Sequence, residues 1–301
     1  MSANKAKKMH RSGFVNIIGN PNVGKSTLMN ALVGEKLSII TSKAQTTRHR
    51  IMGIVSGEDF QIVYSDTPGI LKPSYKLQES MMKFVTGAVT DADVILYVTD
   101  TVEQGDRSAE IIGRIRESGI PTVVVINKID LSTPEALDAL VDKWRQELPE
   151  AQIVPASAKE NFNIEGLFKT ILALLPEGPA FYPKETLTDK TLRFFASEII
   201  REKILKFYDK EIPYCCEIEI DSYREEPTID RIAATIYVAR DSQKGILIGH
   251  KGEKLKRVGQ TAREDMEEFL GKKVFLQLFV KVSDDWRNNE RQLRRFGYEL
   301  E

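Results

Sequence analysis

The sequence predicts an α/β domain, in which helices cover both faces of a mostly parallel sheet, followed by a smaller α+β domain. Apolar strand-like segments alternate with helical segments in the first half of the chain, an order typical of right-handed crossover connections. A glycine-rich loop, residues 19–26, separates the first strand from the first helix. A proline-rich stretch, residues 175–183, precedes a second group of helices and strands and indicates a domain boundary.

Composition indicates a globular protein of about two domains without a membrane span. The chain has 301 residues, and no apolar run approaches the ~20 residues that a spanning helix needs. Lysine and arginine number 43 against 44 acidic residues, so any basic surface must be local. The neighbouring Cys215 and Cys216 are expected on a strand, as core residues in a reducing compartment.

The glycine-rich loop fits the phosphate-loop pattern, in which glycine, four free positions and Gly-Lys-Ser follow a buried strand and open a helix. Glycines let a polyphosphate approach several backbone N–H groups, and the helix N-terminus adds partial positive charge. We expect Lys25 to reach the outer phosphates and the Ser26 hydroxyl to bind Mg²⁺. The residues expected to contact the phosphates are Gly19, Asn20, Pro21, Asn22, Val23, Gly24, Lys25, Ser26 and Thr27.

The polar loop formed by residues 35–50 is predicted to sense the terminal phosphate of the nucleotide. Long irregular loops in compact domains are usually functional or disordered, and this one is rich in hydroxyl and basic side chains. Thr47 is expected to bind Mg²⁺ only while a γ-phosphate is present, which makes the loop a switch. Thr46 is the alternative ligand.

A predicted β-hairpin, residues 51–55 and 60–64, leads into a second phosphate-sensing segment. The Asp66 carboxylate follows the second strand and is expected to reach Mg²⁺, directly or through water. The Gly69 N–H is expected to bond a γ-phosphate oxygen. This segment consists of Asp66, Thr67, Pro68 and Gly69.

Selection of guanine is predicted from the segment that follows the buried strand 121–126. A carboxylate at Asp130 can accept hydrogen bonds from the N1–H and the exocyclic amine of guanine. Adenine lacks both donors, which costs about 1–3 kcal/mol of binding free energy. The Lys128 stem is expected to cover the base, and Asn127 to tie this loop to the phosphate loop. A later loop is expected to contact the guanine oxygen through Ser157, Ala158 and Lys159.

The sequence contains no assignable catalytic base for hydrolysis of GTP to GDP. Ile70 follows Gly69, where many GTPases carry a glutamine that orients the attacking water. We therefore expect slow hydrolysis, with Lys25 and Thr47 supporting the transition state. The switch backbone, a bound K⁺ or a partner must position the water. Asn22 is a candidate ligand for K⁺, and a purely structural role in the loop is the equal alternative.

The second half predicts a KH module, which binds single-stranded nucleic acid. A long amphipathic helix, two strands and a Gly-x-x-Gly turn precede a third strand at residues 274–282, the α-first order of this fold. Residues 244–257 carry five cations against one carboxylate, a local basic patch. The residues expected to bind RNA are Lys244, Ile246, Ile248, Gly249, His250, Lys251, Gly252, Lys254, Lys256 and Arg257, with Leu247 adding to the apolar floor.

The four nucleotide motifs resemble those of translation-factor-type GTPases. With the C-terminal KH module, the chain resembles the Era family of bacterial Ras-like GTPases, also in residues 45–50 and 196–203. The resemblance implies a factor that binds the 3′ end of small-subunit ribosomal RNA through the KH groove and assists 30S subunit assembly. It also implies a cytoplasmic protein with some peripheral association with the inner membrane. Ile70 is then typical, because the family lacks the glutamine at this position.

The predicted organisation is a disordered basic tail, a GTPase domain, a linker, a KH domain and a C-terminal tail. These cover residues 1–12, 13–176, 177–189, 190–285 and 286–301. A monomer is expected, because coiled-coil heptads are lacking. The alternative function is a membrane-associated signalling GTPase with an accessory RNA-binding domain. It is favoured only by the tail cations, which are Lys5, Lys7, Lys8 and Arg11.

Overall fold

The computed structural model describes residues 9–102 and 108–298. The chain forms two compact units. The first comprises the chain up to Ser38, then Thr47–Lys72 and Met82–Asp189. The second comprises Ile39–Thr46, Pro73–Met81 and the chain from Lys190 onward. Among the described helices, none has both the length and the apolar character required to cross a bilayer.

The first unit is built on a six-stranded sheet with strand order β2-β3-β1-β4-β5-β6. The hairpin strands β2 and β3 are antiparallel, and the remaining pairs are parallel. The carboxyl ends of β1, β3, β4 and β5 therefore meet at one edge of the sheet. The strands are β1 Arg11–Gly19, β2 Ile51–Ser56, β3 Phe60–Asp66, β4 Val94–Asp100, β5 Thr122–Asn127 and β6 Gln152–Pro155.

Helices cover this sheet on both faces, as predicted. Every residue of β4 and β5 is buried, and successive strand residues point to opposite faces. One face packs Tyr97 and Val124 against Ile112 and Trp144 from the helices above. The helices are α1 Lys25–Val33, α2 Lys76–Thr90, α3 Ala109–Ser118, α4 Pro134–Glu147 and α5 Ile164–Leu174.

The second unit has the helix and strand order of a KH domain. Strands β7 Glu217–Glu225, β8 Ile229–Val238 and β9 Lys273–Val282 form a sheet in that order, with β7 and β8 antiparallel and β8 and β9 parallel. Its core joins Ile200 and Ile204 to Ile236 of the sheet. The helices are α6 Leu192–Phe207, α7 Ile212–Cys215, α8 Asp241–Ile248, α9 Glu253–Leu270 and α10 Glu290–Arg295.

The expectation that Cys215 and Cys216 lie on a strand is wrong. The strand β7 begins only at Glu217, and Cys215 ends the short helix α7. Pro213 explains the helix, because proline suits the first helical turn and supplies no N–H to a sheet ladder. Both cysteines are buried free thiols, in agreement with their predicted role in the core.

The unit boundaries differ from those expected. Residues 177–189 belong to the first unit, where the buried Gln61 side chain accepts a hydrogen bond from the Phe181 N–H at 2.7 Å. The Ile54 N–H also donates to the Leu187 carbonyl. At the C-terminus, Trp286 is buried and donates to the Cys215 carbonyl at 3.0 Å. Of the expected N-terminal tail, residues 1–8 lie outside the described residues.

Candidate nucleotide and nucleic-acid sites

The phosphate loop lies between the carboxyl end of β1 and the first turn of α1. Gly24 precedes the helix in the left-handed conformation, with φ of 94°. A Cβ atom there would lie 2.3 Å from the Asn127 amide nitrogen, so both backbone and packing require glycine. The buried Lys25 ammonium group donates to the Asn20 carbonyl at 2.8 Å. Its charge therefore lies within the loop that is predicted to surround the phosphates.

Three oxygen-bearing side chains converge beside this loop. The Ser26 hydroxyl donates to Asp66 Oδ2 at 2.7 Å and lies 2.9 Å from the Thr47 hydroxyl, which is 3.2 Å from the same carboxylate oxygen. Asp66 is fully buried, and its Oδ1 has no hydrogen-bond partner among the described residues. Burial raises the pKa of Asp66, while the charge of Lys25 and the hydrogen bonds from Ser26 and Thr47 to the Asp66 carboxylate lower it. Hard oxygen donors and an unpaired buried carboxylate oxygen fit a small divalent cation such as Mg²⁺.

The geometry distinguishes the two candidate threonines. The Thr46 hydroxyl lies 2.6 Å from the Thr41 hydroxyl and donates to the Lys43 carbonyl at 2.6 Å. It is therefore engaged inside the segment 39–46, which belongs to the second unit. The Thr47 hydroxyl faces Ser26 and Asp66, so the arrangement favours Thr47 as the metal ligand.

The segment after Asp66 is held against the phosphate loop. A Cβ atom at Gly69 would lie 2.8 Å from the backbone of Pro21, so the two backbones approach closely. The Thr67 hydroxyl donates to the Ile17 carbonyl at 2.7 Å, which leaves only its backbone for a nucleotide. Ile70 donates its N–H to the Gly19 carbonyl, and its side chain is buried in the core of the sheet. Pro68 is also buried.

The predicted base-binding residues meet at the carboxyl end of β5. Asn127 donates to the Val23 carbonyl at 2.8 Å and accepts from the Ala158 N–H at 3.0 Å. It thereby joins the phosphate loop to the loop after β6. The exposed carboxylate of Asp130 accepts a hydrogen bond from the Ser157 hydroxyl at 2.6 Å. The more remote Lys159 side chain is 80% exposed and pairs with its neighbour Glu160.

Asp100 is a functional candidate that the sequence prediction missed. Its carboxylate is buried at the end of β4 and lies 2.5 Å from the Lys128 ammonium group. Lys128, which adopts a left-handed conformation, also donates to the carbonyl of the exposed Asn22 at 2.6 Å. These contacts hold the Lys128 side chain between the end of β4 and the phosphate loop. An acidic residue at the carboxyl end of a strand beside β1 and β5 is the signal that points to it.

The Gly-x-x-Gly turn connects α8 to α9 in the second unit. Gly249 has φ of 74°, and a Cβ atom there would lie 2.7 Å from the Lys254 side chain. Gly252, also left-handed, precedes the 18-residue helix α9. Between them, the exposed His250 and Lys251 lie on a single 3₁₀ turn. The turn thus presents the Lys251 ammonium group and the His250 ring at a helix N-terminus, which suits binding of a phosphate backbone.

A basic patch with apolar neighbours surrounds this turn. The Arg257 guanidinium group lies 4.3 Å from the centre of the Phe207 ring, and Lys254 lies over Tyr208. Ile246 is 43% exposed, but Leu247 is fully buried in the core. The expected apolar floor therefore excludes Leu247, because α8 turns that side chain inward. The remaining members of the patch are Lys244 and Ile248, both half-buried, and the exposed Lys256.

One end of the parallel sheet carries a phosphate loop, a cluster of oxygen ligands and a carboxylate placed to bind the base. Together with the second unit, these features define a P-loop GTPase joined to a KH domain. Residues 14–128 match the family described as 50S ribosome-binding GTPase, and residues 211–287 match the KH domain family. The chain is 45% identical over 295 residues to GTPase Era of Alkaliphilus metalliredigens, covering 96% of this chain and 99% of that protein. It is 44% identical to GTPase Era of Staphylococcus haemolyticus, covering 96% and 97%. The chain belongs to the GTPase Era family.

Two solved structures have the same fold over nearly the whole chain. One is a crystal structure of Era in complex with MgGDPNP and nucleotides 1506–1542 of 16S ribosomal RNA, with a TM-score of 0.93, 40% identity and coverage of 97% of this chain and 100% of that one. The other is a variant of Aquifex aeolicus Era bound to GDP·AlF₄⁻, with a TM-score of 0.93, 41% identity and coverage of 96% and 100%.

Proposed function

We propose that this chain is a GTP-binding, slowly GTP-hydrolysing switch that binds the 3′ end of small-subunit ribosomal RNA and assists assembly of the 30S subunit in the cytoplasm. The observation that carries the proposal is the convergence of Ser26, Thr47 and Asp66 beside the phosphate loop, on a chain that also carries a basic Gly-x-x-Gly turn. The solved Era complex with MgGDPNP and 16S ribosomal RNA supports the same pairing of ligands.

In this proposal, Ser26 and Thr47 bind Mg²⁺ with Asp66 as the negatively charged partner. The bound ion neutralises charge on the β- and γ-phosphates and orients them. Lys25 adds a fixed positive charge inside the loop. Asp130 reads the guanine edge, and its exposed carboxylate has the acceptor capacity that this requires. Backbone N–H groups of the phosphate loop and of Gly69 bind phosphate oxygens.

Hydrolysis is slow in this proposal because the attacking water lacks a side chain to orient it. Ile70 is buried in the core, so neither its chemistry nor its direction suits that role. Lys25 and Thr47 stabilise charge in the transition state, and the water is positioned from elsewhere. K⁺ near Asn22 is one such source, and the exposed Asn22 side chain is accessible to it. Turnover measured in KCl and in NaCl tests this point, and equal rates reject K⁺.

Two chain segments that flank the predicted nucleotide-sensing residues in the sequence belong to the second unit. They are Ile39–Thr46, before Thr47, and Pro73–Met81, after Gly69. Within it, the buried Arg201 donates to the Gln45 carbonyl at 3.4 Å and to the Thr46 carbonyl. In the same unit, the Leu77 N–H donates to the Arg287 carbonyl at 3.0 Å. Thr47 is the next residue after Thr46 in the chain. When Mg²⁺ and GTP fix the position of Thr47, they therefore restrain the adjoining segment 39–46, which packs against α6 of the KH domain.

The test is RNA binding to protein loaded with a non-hydrolysable GTP analogue or with GDP, using RNA from the 3′ end of the small-subunit ribosomal RNA. Lys251→Asp places a negative charge in the turn, and aspartate tolerates the left-handed backbone found there. The matched control is Lys184→Asp, a charge reversal at an exposed lysine of the first unit. We expect tighter binding with the GTP analogue, and loss of binding only in Lys251→Asp. Equal loss in both variants would reject the turn as the RNA site.

Attachment to a membrane, as a signalling GTPase, is the competing function. Arg11, one of the cations that suggested it, is instead the first residue of β1 and donates to the Ala173 carbonyl of α5 at 2.7 Å. The other tail cations precede residue 9 and lie outside the described residues. Deletion of residues 1–8 leaves β1 intact and tests the idea. If peripheral association with the inner membrane persists after the deletion, the tail is not its cause. If the deletion abolishes membrane association and causes growth defects while 30S assembly stays normal, the competing function is favoured.

A further inference from the structure

The strand β9 presents an aromatic and basic face that neither the nucleotide site nor the Gly-x-x-Gly turn uses. Phe275 is 43% exposed and Phe279 is 50% exposed. Because strand residues two apart share a face, Lys273, Gln277 and Lys281 lie on the same side, and all three are exposed. Large aromatic side chains exposed together on one sheet face mark an interaction surface more often than isolated ones do.

The opposite side of β9 belongs to the core of the second unit. Leu276 and Leu278 pack against the buried cluster that includes Val258 and Ala262 of α9. A Cβ atom at Gly259 of that helix would lie 3.4 Å from Leu278. The strand therefore lies beside the helix that begins at the Gly-x-x-Gly turn. Its outer edge carries no neighbouring strand in the described sheet, so the helix-covered face and the aromatic face of β9 meet at this edge.

The neighbouring strand β8 places one arginine and two small side chains beside this face. In register, Arg231 lies beside Phe275, Ala233 beside Gln277 and Thr235 beside Phe279. The small side chains at 233 and 235 leave the rings accessible. The Arg231 guanidinium group lies 5.4 Å from the centre of the Phe275 ring. Arginine planes stack on nucleic-acid bases as aromatic rings do.

We propose that this face, defined by Phe275, Phe279 and Arg231, is a second RNA-binding surface on which bases beyond the KH groove stack. The proposal rests on the function proposed above. A Gly-x-x-Gly turn clamps about four nucleotides, so a longer single strand must continue across other parts of the unit. The two rings are four residues apart, about 13 Å along a strand, so each ring receives a different base. Stacking on aromatic side chains accepts any base, which suits an extension of a sequence-reading groove.

Charge supports RNA over a protein partner as the occupant. Lys273 and Lys281 flank the two rings on β9, and Arg231 borders them on β8. Arg231 and Lys273 each pair with one carboxylate at 3.0 and 3.3 Å, on Glu226 and Glu267. The Arg231–Glu226 pair is exposed, so an incoming phosphate can replace it at small cost. An apolar protein surface would have to desolvate the same cations without that compensation.

The test compares RNA affinity across a nested series of single strands from the 3′ end of small-subunit ribosomal RNA, from about 6 to about 20 nucleotides, with the GTP analogue bound. For the wild type we expect affinity to rise with length beyond the groove. For Phe275→Ala/Phe279→Ala we expect affinity to level off at the short lengths, with at least about a tenfold loss on the longest strand. Phe275→Tyr/Phe279→Tyr keeps both rings and should follow the wild type. Phe162→Ala removes an exposed ring of the first unit and is the matched control.

The outcomes separate this inference from the proposed function. If the alanine variant follows the wild type at every length, the aromatic face does not bind RNA. If it binds every RNA normally but no longer binds purified 30S subunits, the face contacts protein, and the RNA proposal is wrong. If the wild type binds none of the strands, the proposed RNA function itself fails. Thermal unfolding of each variant shows whether a loss on the short strands reflects unfolding.

Discussion

Arg201 and Glu198 form a buried ion pair one turn apart on α6, and the same guanidinium group donates to the Thr46 carbonyl. Nε of Arg201 lies 2.7 Å from Glu198 Oε1, and both side chains are nearly inaccessible to water. A buried charge without its partner is strongly unfavourable. The carboxylate therefore holds the guanidinium group in the one orientation from which it reaches segment 39–46.

We predict that Arg201→Met destabilises the protein by about 3–5 kcal/mol, because Glu198 is left buried without a counter-charge. Glu198→Leu/Arg201→Met should recover much of the free energy of unfolding. It should still lose the difference in RNA affinity between the GTP-analogue and GDP states. Urea unfolding and RNA titration measure the two effects. Arg193→Met, on the same helix, removes a hydrogen bond to the Ile220 carbonyl and is the control. A double variant that keeps its nucleotide-dependent RNA affinity would contradict the prediction.

We predict that Thr47→Ala raises the Mg²⁺ concentration needed for half-maximal GTP hydrolysis, and lowers the rate at fixed Mg²⁺ at least about tenfold. The Thr47 hydroxyl faces Ser26 and Asp66, whereas the Thr46 hydroxyl is engaged with Thr41 and the Lys43 carbonyl. Thr46→Ala should therefore leave the Mg²⁺ requirement unchanged. Phosphate release across a Mg²⁺ titration checks both variants. An inverted pattern would make Thr46 the ligand.

We predict that Asp130→Asn lowers GTP affinity by about 10- to 100-fold, because asparagine presents an acceptor and a donor where guanine offers two donors. Affinity for xanthosine triphosphate, which carries an oxygen in place of the exocyclic amine, should rise. The Asn side-chain oxygen can still accept from Ser157, so the loop should keep its shape. Competition against labelled GDP measures both affinities, with Asp138→Asn on the exposed part of α4 as the control. Unchanged selectivity would exclude Asp130 from base recognition.

We predict that Glu267 makes stability pH-dependent in the acid range. The Val274 N–H donates to its carboxylate at 3.1 Å and lowers the pKa of Glu267 below its ordinary value of 4.5. Since the folded state holds this proton less tightly than the unfolded state, the stabilisation is present above pH 4.5 and is lost as pH falls through the folded-state pKa. Glu267→Gln should lower the denaturation midpoint at neutral pH, and the difference from the wild type should shrink towards acid pH. Glu268→Gln, at the exposed neighbouring position, should show no such trend.

Local patterns were sufficient to predict the nucleotide domain. A glycine-rich loop, a buried strand ending in Asp66 and another ending in Asn127 each have a short-range signature, and the parallel sheet brings them to one edge. The same holds for the Gly-x-x-Gly turn. These features are carried by consecutive residues, and the sheet topology follows from their order.

The parts that the sequence prediction missed depend on contacts between distant residues. Nothing near Arg201 in the chain shows that it donates to the Thr46 carbonyl, and nothing near Gln61 shows that it accepts from the Phe181 N–H. The role of Asp100 depends on its contact with Lys128 at the next strand end, which the local sequence does not show. Leu247 points into the core although the adjacent Ile246 is exposed, because neighbouring residues of a helix lie on different sides.

The position of Trp286 in the chain has a consequence for biosynthesis. Its indole fills the interior of the second unit, and further along, the Tyr298 hydroxyl donates to the buried Glu217 at 2.7 Å. Translation adds Trp286 and Tyr298 only after the whole sheet and the Gly-x-x-Gly turn. Domains fold as units during synthesis, so this unit can complete its core only once those two residues have left the ribosome. Until then the Gly-x-x-Gly turn belongs to a unit that lacks part of its interior.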